Sequence, residues 1–192
     1  MTEYKSWPLG QLPPEFQRPE LDQLKKNGYK FGDPREVVDM FEKKVAKFAG
    51  AKYGIAVDCC SHGLFLSLKW YKDVMKMITE HIHIPRYTYC SVPMQIIHAG
   101  FKPVFEDVTW SGIYQLRPFD IWDGAVRWTQ GMYKSGFHIV SFQLKKRIPI
   151  GRGGMILTND KKAADWFRKM TYDGRDLTIS YMDDDFEYCG YH

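Results

Sequence analysis

Ser141-Phe142-Gln143-Leu144-Lys145-Lys146-Arg147-Ile148-Pro149-Ile150-Gly151-Arg152-Gly153-Gly154 sets two lysines and a glycine cluster between two apolar runs. The run Phe137-His138-Ile139-Val140 leads into it, and Met155-Ile156-Leu157-Thr158 leads out. Short apolar runs rich in β-branched and aromatic residues read as buried strands. The stretch is therefore a strand, a loop and a strand, with two lysines in the loop. A Lys-Lys-Arg triplet taken alone is a solvated basic loop, because lysine is rarely buried. An amine held between two buried strands, by contrast, is open to desolvation, loses its charge more readily and becomes a nucleophile toward carbonyl carbon.

Outward from this unit, strands alternate with helices. Tyr53-Gly54-Ile55-Ala56-Val57 reads as a strand, Asp58-Cys59-Cys60-Ser61-His62-Gly63 as a turn of mostly small residues, and Leu64, Leu66, Leu68, Tyr71, Met75 and Ile78 as the apolar face of a helix. A helix opening on free N–H groups and a hydroxyl suits a phosphate; taken alone, Ser61 reads first as a helix cap, for which serine is a favoured residue. His81 to Pro85 is the next strand, with Tyr87-Thr88-Tyr89-Cys90 at its carboxyl end, then a helix over Ser91 to Gly100 and a strand over Lys102 to Asp107. Phe119 to Ala125 is a short strand ending in Asp123, a residue placed either to cap a helix or to face a ligand. Such alternation predicts an α/β domain with a mostly parallel sheet, whose ligand sits at the carboxyl ends of the strands. Ser61, Tyr89 and Lys146 gather at that edge.

Two helices flank this core. Asp33 is an N-cap, Pro34 the first helical residue and Glu36 the third after the cap; Val37, Val38, Phe41, Val45 and Phe48 form the apolar face, and Gly50 ends the helix. Asn159-Asp160 caps a helix carrying Ala163, Ala164, Trp166, Phe167 and Met170. Val108 to Pro118 has no period and is not placed. Residues 1–31, with Pro8, Pro13, Pro14 and Pro19, read as an N-terminal arm, 32–175 as the domain, and 176–192 as a polar C-terminal segment in which Asp183-Asp184-Asp185 is a solvated turn.

Composition narrows the function. An apolar share of 44% with 16% aromatic residues over 192 positions describes a folded domain with a substantial core. The 27 basic and 23 acidic residues leave a net charge of +4, spread along the chain without the basic face that nucleic-acid binding requires. The balance suits an anionic small molecule. Cys59, Cys60, Cys90 and Cys189 lack zinc or disulfide spacing and read as reduced thiols in a cytoplasmic protein. No metal is expected, and no apolar run reaches membrane-spanning length.

These stretches resemble the DegT/DnrJ/StrS family of sugar aminotransferases, which are pyridoxal-phosphate (PLP) enzymes of fold type I. The family signature is Ser-Phe, three variable residues, Lys, a Gly-x-Gly-Gly cluster and a strand ending in Thr-Asn-Asp. Ser141-Phe142, Lys146, Gly151-Arg152-Gly153-Gly154 and Thr158-Asn159-Asp160 stand at those spacings. The resemblance, which runs from about Gly32 to about Arg175, implies that Lys146 is the catalytic lysine bonded to PLP. It implies further that Asp123, in Trp122-Asp123-Gly124-Ala125, pairs with the pyridine nitrogen, and that Cys60 and Ser61 replace the Gly-Thr of the phosphate turn. Tyr89 would stack on the ring, Ser141 would touch the phosphate, and His62 would stand beside the cofactor.

The implied fold is the three-layer, fold-type I large domain with a mostly parallel sheet, shortened between Asp107 and Phe119 and without the small C-terminal domain. Val126 stands where the family carries Gln, and Arg152 where it carries Glu. The implied function is transfer of an amino group, from an amino-acid donor such as glutamate, to a nucleotide-linked keto-sugar by a homodimer. The alternative is a truncated or degenerate homologue that binds PLP or a nucleotide-sugar, or serves as a scaffold, without turnover.

Overall fold

A computed structural model describes residues 20–30, 33 and 35–191. Most of the expected arm over 1–31, and Gly32 and Pro34 of the expected helix start, lie outside the described residues. Two compact units divide the chain, one ending at Met40 and the other beginning at Phe41. In the first, a short helix α1, Glu20–Lys26, forms where the sequence showed no period. Asp33 accepts the Arg35 N–H at 2.8 Å, as expected of a capping residue.

Helix α2, Arg35–Ala49, runs from the first unit into the second. Its buried residues are Glu42, Val45, Ala46 and Ala49, whereas Val38 is 43% exposed and Phe48 stacks on Trp128 with ring centres 5.0 Å apart. The buried stripe is thus shifted from the expected face toward Glu42, Ala46 and Ala49. Gly50 stops the helix at φ +82°.

The rest of the second unit alternates as the sequence pattern requires: β1 Tyr53–Val57, α3 Cys60–Lys69, β2 His81–Pro85, α4 Ser91–His98, β3 Lys102–Glu106, β4 Tyr114–Gln115, β5 Ile121–Asp123, β6 Phe137–Ser141, β7 Gly154–Thr158 and α5 Lys161–Met170. Helix α3 closes with a π turn at Trp70–Val74 and does not reach Met75 or Ile78, the latter 97% exposed. Asp160 caps α5 by accepting the Ala163 N–H at 3.1 Å.

The main sheet has the order β1-β7-β6-β5-β4, and β2 pairs with β3 beside it. His83 and Arg117 exchange both backbone hydrogen bonds, at 2.8 and 3.1 Å, and so join β2 to the continuation of β4. Relative to β6, strands β1, β2, β3 and β5 run the same way while β4 and β7 run against it. The sheet is therefore mixed in its pairings, with parallel ladders at β5–β6 and β2–β3 and antiparallel ladders at β1–β7, β6–β7 and β4–β5. Loop length is the reason. A parallel return needs a crossover of about a dozen residues, normally a helix, and neither the lysine loop nor residues 116–120 contains one.

Three layers result. Ile55, Ile121, Phe137, Ile139 and Ile156 pack on one face with α3, α4 and α5, while Val140, Met155 and Leu157 pack on the other with Val45, Ala46, Ala49 and Met132. The C-terminal stretch is tied back: Tyr191 N–H donates to Met170 O at 2.7 Å. Asp184 corrects the expected solvated turn, since its side chain is 2% exposed and accepts the N–H groups of Asp176 and Phe186 at 2.9 and 3.1 Å.

His138 lies fully buried on β6, and neither ring nitrogen has a hydrogen-bond partner. Burial, with Arg127 and Lys134 nearby, pushes its pKa down to about 4. Because the unfolded chain takes up this proton near its ordinary 6.5, the stabilising effect of a neutral His138 is complete above that pH and is lost as pH falls toward 4. We expect urea unfolding to show about 3 kcal/mol of stability lost across this window, and His138→Leu to remove that component of the pH dependence. An unchanged pH profile in the variant would refute this account.

Candidate active site

The carboxyl ends of β1, β2, β5 and β6 open onto one cavity of about 580 Å³, within the range of small-molecule sites. Cys60, Ser61, Tyr89, Asp123, Ser141 and Lys146 all line it, drawn from four separate stretches of the sequence. His62 does not. It lines a separate cavity of about 210 Å³ with Asp58, Leu66 and Tyr191, and its Nδ1 lies 2.5 Å from Asp58 Oδ1. Successive residues in a helix point about 100° apart, so a first turn that aims Ser61 into the larger cavity turns His62 away from it.

The turn into α3 is held tightly. Cys59 is the N-cap, extended at φ −161° and ψ 161°, and its sulfur accepts the His62 N–H at 3.4 Å. Gly154 approaches so closely that a Cβ there would sit 2.6 Å from Cys60 N and 2.7 Å from the Cys59 carbonyl carbon. Only glycine permits this contact, and Gly151 and Gly153 beside it take φ of +123° and +129°. The glycine cluster thereby sets the lysine loop against the N-terminus of α3.

Ser61 and Ser91, in the first turns of α3 and α4, join through their hydroxyls at 2.7 Å. Both line the cavity, so two helix starts contribute hydroxyls to one wall. Sequence reasoning missed Ser91, although it follows a strand and opens a helix just as Ser61 does. Tyr89 sits on the rim, 73% exposed.

Asp123 ends β5 and is buried. Its Oδ1 accepts the Ala125 N–H at 3.0 Å and its Oδ2 accepts the Tyr114 hydroxyl at 2.6 Å. Tyr114 in turn meets Thr88 Oγ1 at 2.5 Å. Burial raises the Asp123 pKa, while Tyr114, Ala125 and the Lys146 charge act to lower it. Tyr114 belongs to the stretch that sequence periodicity left unplaced, and a two-residue strand offers no pattern to detect.

Both loop lysines line the cavity, but Lys146 is half-buried and Lys145 exposed. Gln143 shapes the loop: its carbonyl accepts the Lys146 N–H at 2.8 Å, and its side-chain oxygen accepts the Lys145 N–H at 2.9 Å. The Lys146 charge is felt at both Asp123 and Cys60, whose thiol burial pushes far up. An amine, a buried carboxylate, serine hydroxyls and a helix N-terminus thus face one space. That donor set fits a molecule with a carbonyl, a basic ring nitrogen and a phosphate.

Removing the Tyr114 hydroxyl leaves Asp123 Oδ2 without that donor. Tyr114→Phe is expected to cost about 1.5–3 kcal/mol at neutral pH, the range for hydrogen bonds to charged groups, and less once acid protonates Asp123. Urea unfolding at two pH values measures this; an equal cost at both would refute the charged pairing.

Comparison with known proteins places this site in context. The model of the DegT/DnrJ/EryC1/StrS aminotransferase family matches residues 16–121 and 130–191, leaving Asp123 in the gap between. The spore coat polysaccharide biosynthesis protein SpsC of Bacillus subtilis (strain 168) is 36% identical over 92 residues, which cover 46% of this chain and 22% of SpsC. The sugar aminotransferase CalS13 from Micromonospora echinospora superposes with a TM-score of 0.70 at 16% identity, over 90% of this chain and 59% of CalS13. DesI, solved in the presence of its TDP-sugar product, gives 0.61 at 20% identity, over 90% of this chain and 52% of DesI. The chain thus spans between half and three fifths of those two structures and a smaller share of SpsC. With the family model matched over most of its length, the chain belongs to the DegT/DnrJ/EryC1/StrS aminotransferase family.

Proposed function

We propose that this chain binds pyridoxal phosphate in the cavity beside Lys146 and takes part in transfer of an amino group from an amino acid, such as glutamate, to a nucleotide-linked keto-sugar. The observation that carries the reading is that Lys146, in the loop after β6, and Asp123, at the end of β5, line the same cavity. Family membership supports the reaction class. SpsC, a polysaccharide biosynthesis protein, and DesI, with its TDP-sugar product, support the sugar substrate. Because the family match skips residues 122–129, the role of Asp123 rests on its geometry and on the resemblance of its flanking residues.

When bound, PLP supplies an aldehyde that exchanges amines and a ring that withdraws electrons. Lys146 is the residue whose amine would hold the aldehyde, and as a free amine it would serve as the proton carrier between donor and acceptor carbons. Asp123 keeps a proton on the ring nitrogen, with Tyr114 and the Ala125 N–H fixing its carboxylate. Ser61, Ser141 and the first turn of α3 would hold the phosphate, with Cys60 at the turn, and Tyr89 on the rim would stack on the ring.

A visible absorbance band should form when PLP is added and be bleached by borohydride. Lys146→Ala should lose it and Lys145→Ala should keep it; a band that survives in Lys146→Ala would end this reading. A stable band that glutamate does not alter would favour binding without turnover, the second reading, which Val126 in place of the family glutamine supports.

The working form is proposed to be a cytoplasmic homodimer, because fold-type I sites are completed across a dimer interface. No helix among the described residues is long and apolar enough to cross a membrane. Sedimentation equilibrium should give twice the 22.5 kDa chain mass, and a strict monomer at micromolar concentration would count against the assembly.

A further inference from the structure

We propose that Asp58, Cys59 and His62 bind a thiophilic divalent ion of the zinc class between the two cavities, Cys59 lining the larger and Asp58 and His62 the smaller. Their ligand atoms all lie within 4.8 Å of one another. The spacing Asp-Cys-x-x-His brings them together only because the backbone changes state between them. In a continued strand, Asp58 and Cys59 would point to opposite faces. Here β1 ends at Val57, Cys59 is the extended N-cap, and His62 stands in the first turn of α3, so the thiol folds back over that turn.

The donor types suit such an ion. One sulfur, one imidazole nitrogen and one carboxylate oxygen make a three-ligand set with a fourth position left for water. A thiolate and a carboxylate neutralise the dication, and the thiol proton leaves to solvent on binding. Arg152 supports Asp58 from outside the group, at 3.2 Å from Oδ2, and the Asp58 Oδ1–His62 Nδ1 hydrogen bond, which a bound ion replaces, already draws those two ligands together. Cys59 and His62 are both half-buried, and Val57 and Leu66 flank the His62 side of the group. The adjacent thiol does not compete, because Cys60 Sγ points toward Asp123, 4.0 Å from its Oδ1.

The contrary account is that Asp58 and His62 form a simple i,i+4 pair and Cys59 only a cap. Titration of the full chain with Co²⁺ in a non-thiol reductant, without PLP, separates the two. One equivalent should produce a sulfur-to-cobalt charge-transfer band, displaced by Zn²⁺. Cys59→Ser should abolish the band, His62→Ala should weaken binding on the order of tenfold or more, and Cys60→Ser and Cys90→Ser should leave it intact. Circular dichroism checks that each variant folds, and His62→Ala carries the test if Cys59→Ser does not. A band that persists in Cys59→Ser, is unaffected by His62→Ala, or never forms up to about millimolar Co²⁺ would overturn the proposal. None of these outcomes bears on Lys146 and the PLP reading.

Discussion

The close approach of Gly154 to the Cys59–Cys60 backbone is the contact on which the site depends. It presses the start of β7 against the turn between β1 and α3, and the isolated bridge between Cys59 and Gly153 continues it. Any side chain at Gly154 would push these backbones apart, with a steric cost of about 1–3 kcal/mol for overpacking. Through it the lysine loop and the helix start, more than eighty residues apart in sequence, share one wall. Neither segment has an internal reason to adopt that position.

The opposite wall depends on a carboxylate kept where water cannot solvate it. A buried Asp is unfavourable unless its oxygens find donors, and Asp123 has the Ala125 N–H on one and the Tyr114 hydroxyl on the other. Tyr114 reaches it because the stretch after β3 turns back as β4, antiparallel to β5 and bonded through Arg117 to β2. A short antiparallel segment thus fills the space between β5 and β2, keeps the sheet continuous and delivers a phenol to the acid.

Polarity is distributed unevenly around this framework. The buried positions of β6 and β7 are mostly apolar, with His138, whose pKa burial lowers, and Thr158 as the polar exceptions. The charged groups collect at the carboxyl edge, where Asp58, Arg152, Lys145 and Lys146 ring the helix start. The same edge therefore offers the amine and hydroxyls suited to an organic phosphate and the sulfur and imidazole suited to a metal ion.

The sequence by itself determined the alternation of strands and helices, the two strands bracketing the lysine loop, and the cap at Asp160, because these follow from local periodicity and hydrogen-bonding chemistry. Its resemblance to the aminotransferase family also singled out Lys146, Asp123, Ser61, Tyr89, Ser141, Cys60 and His62, of which all but His62 line one cavity. The tertiary structure alone decided the direction of β4, the pairing of Tyr114 with Asp123, the joining of Ser61 to Ser91, and the turning of His62 toward Asp58. Those outcomes depend on which elements meet across the sheet and on a first helical turn that sends neighbouring side chains in different directions. No local pattern in the chain encodes either.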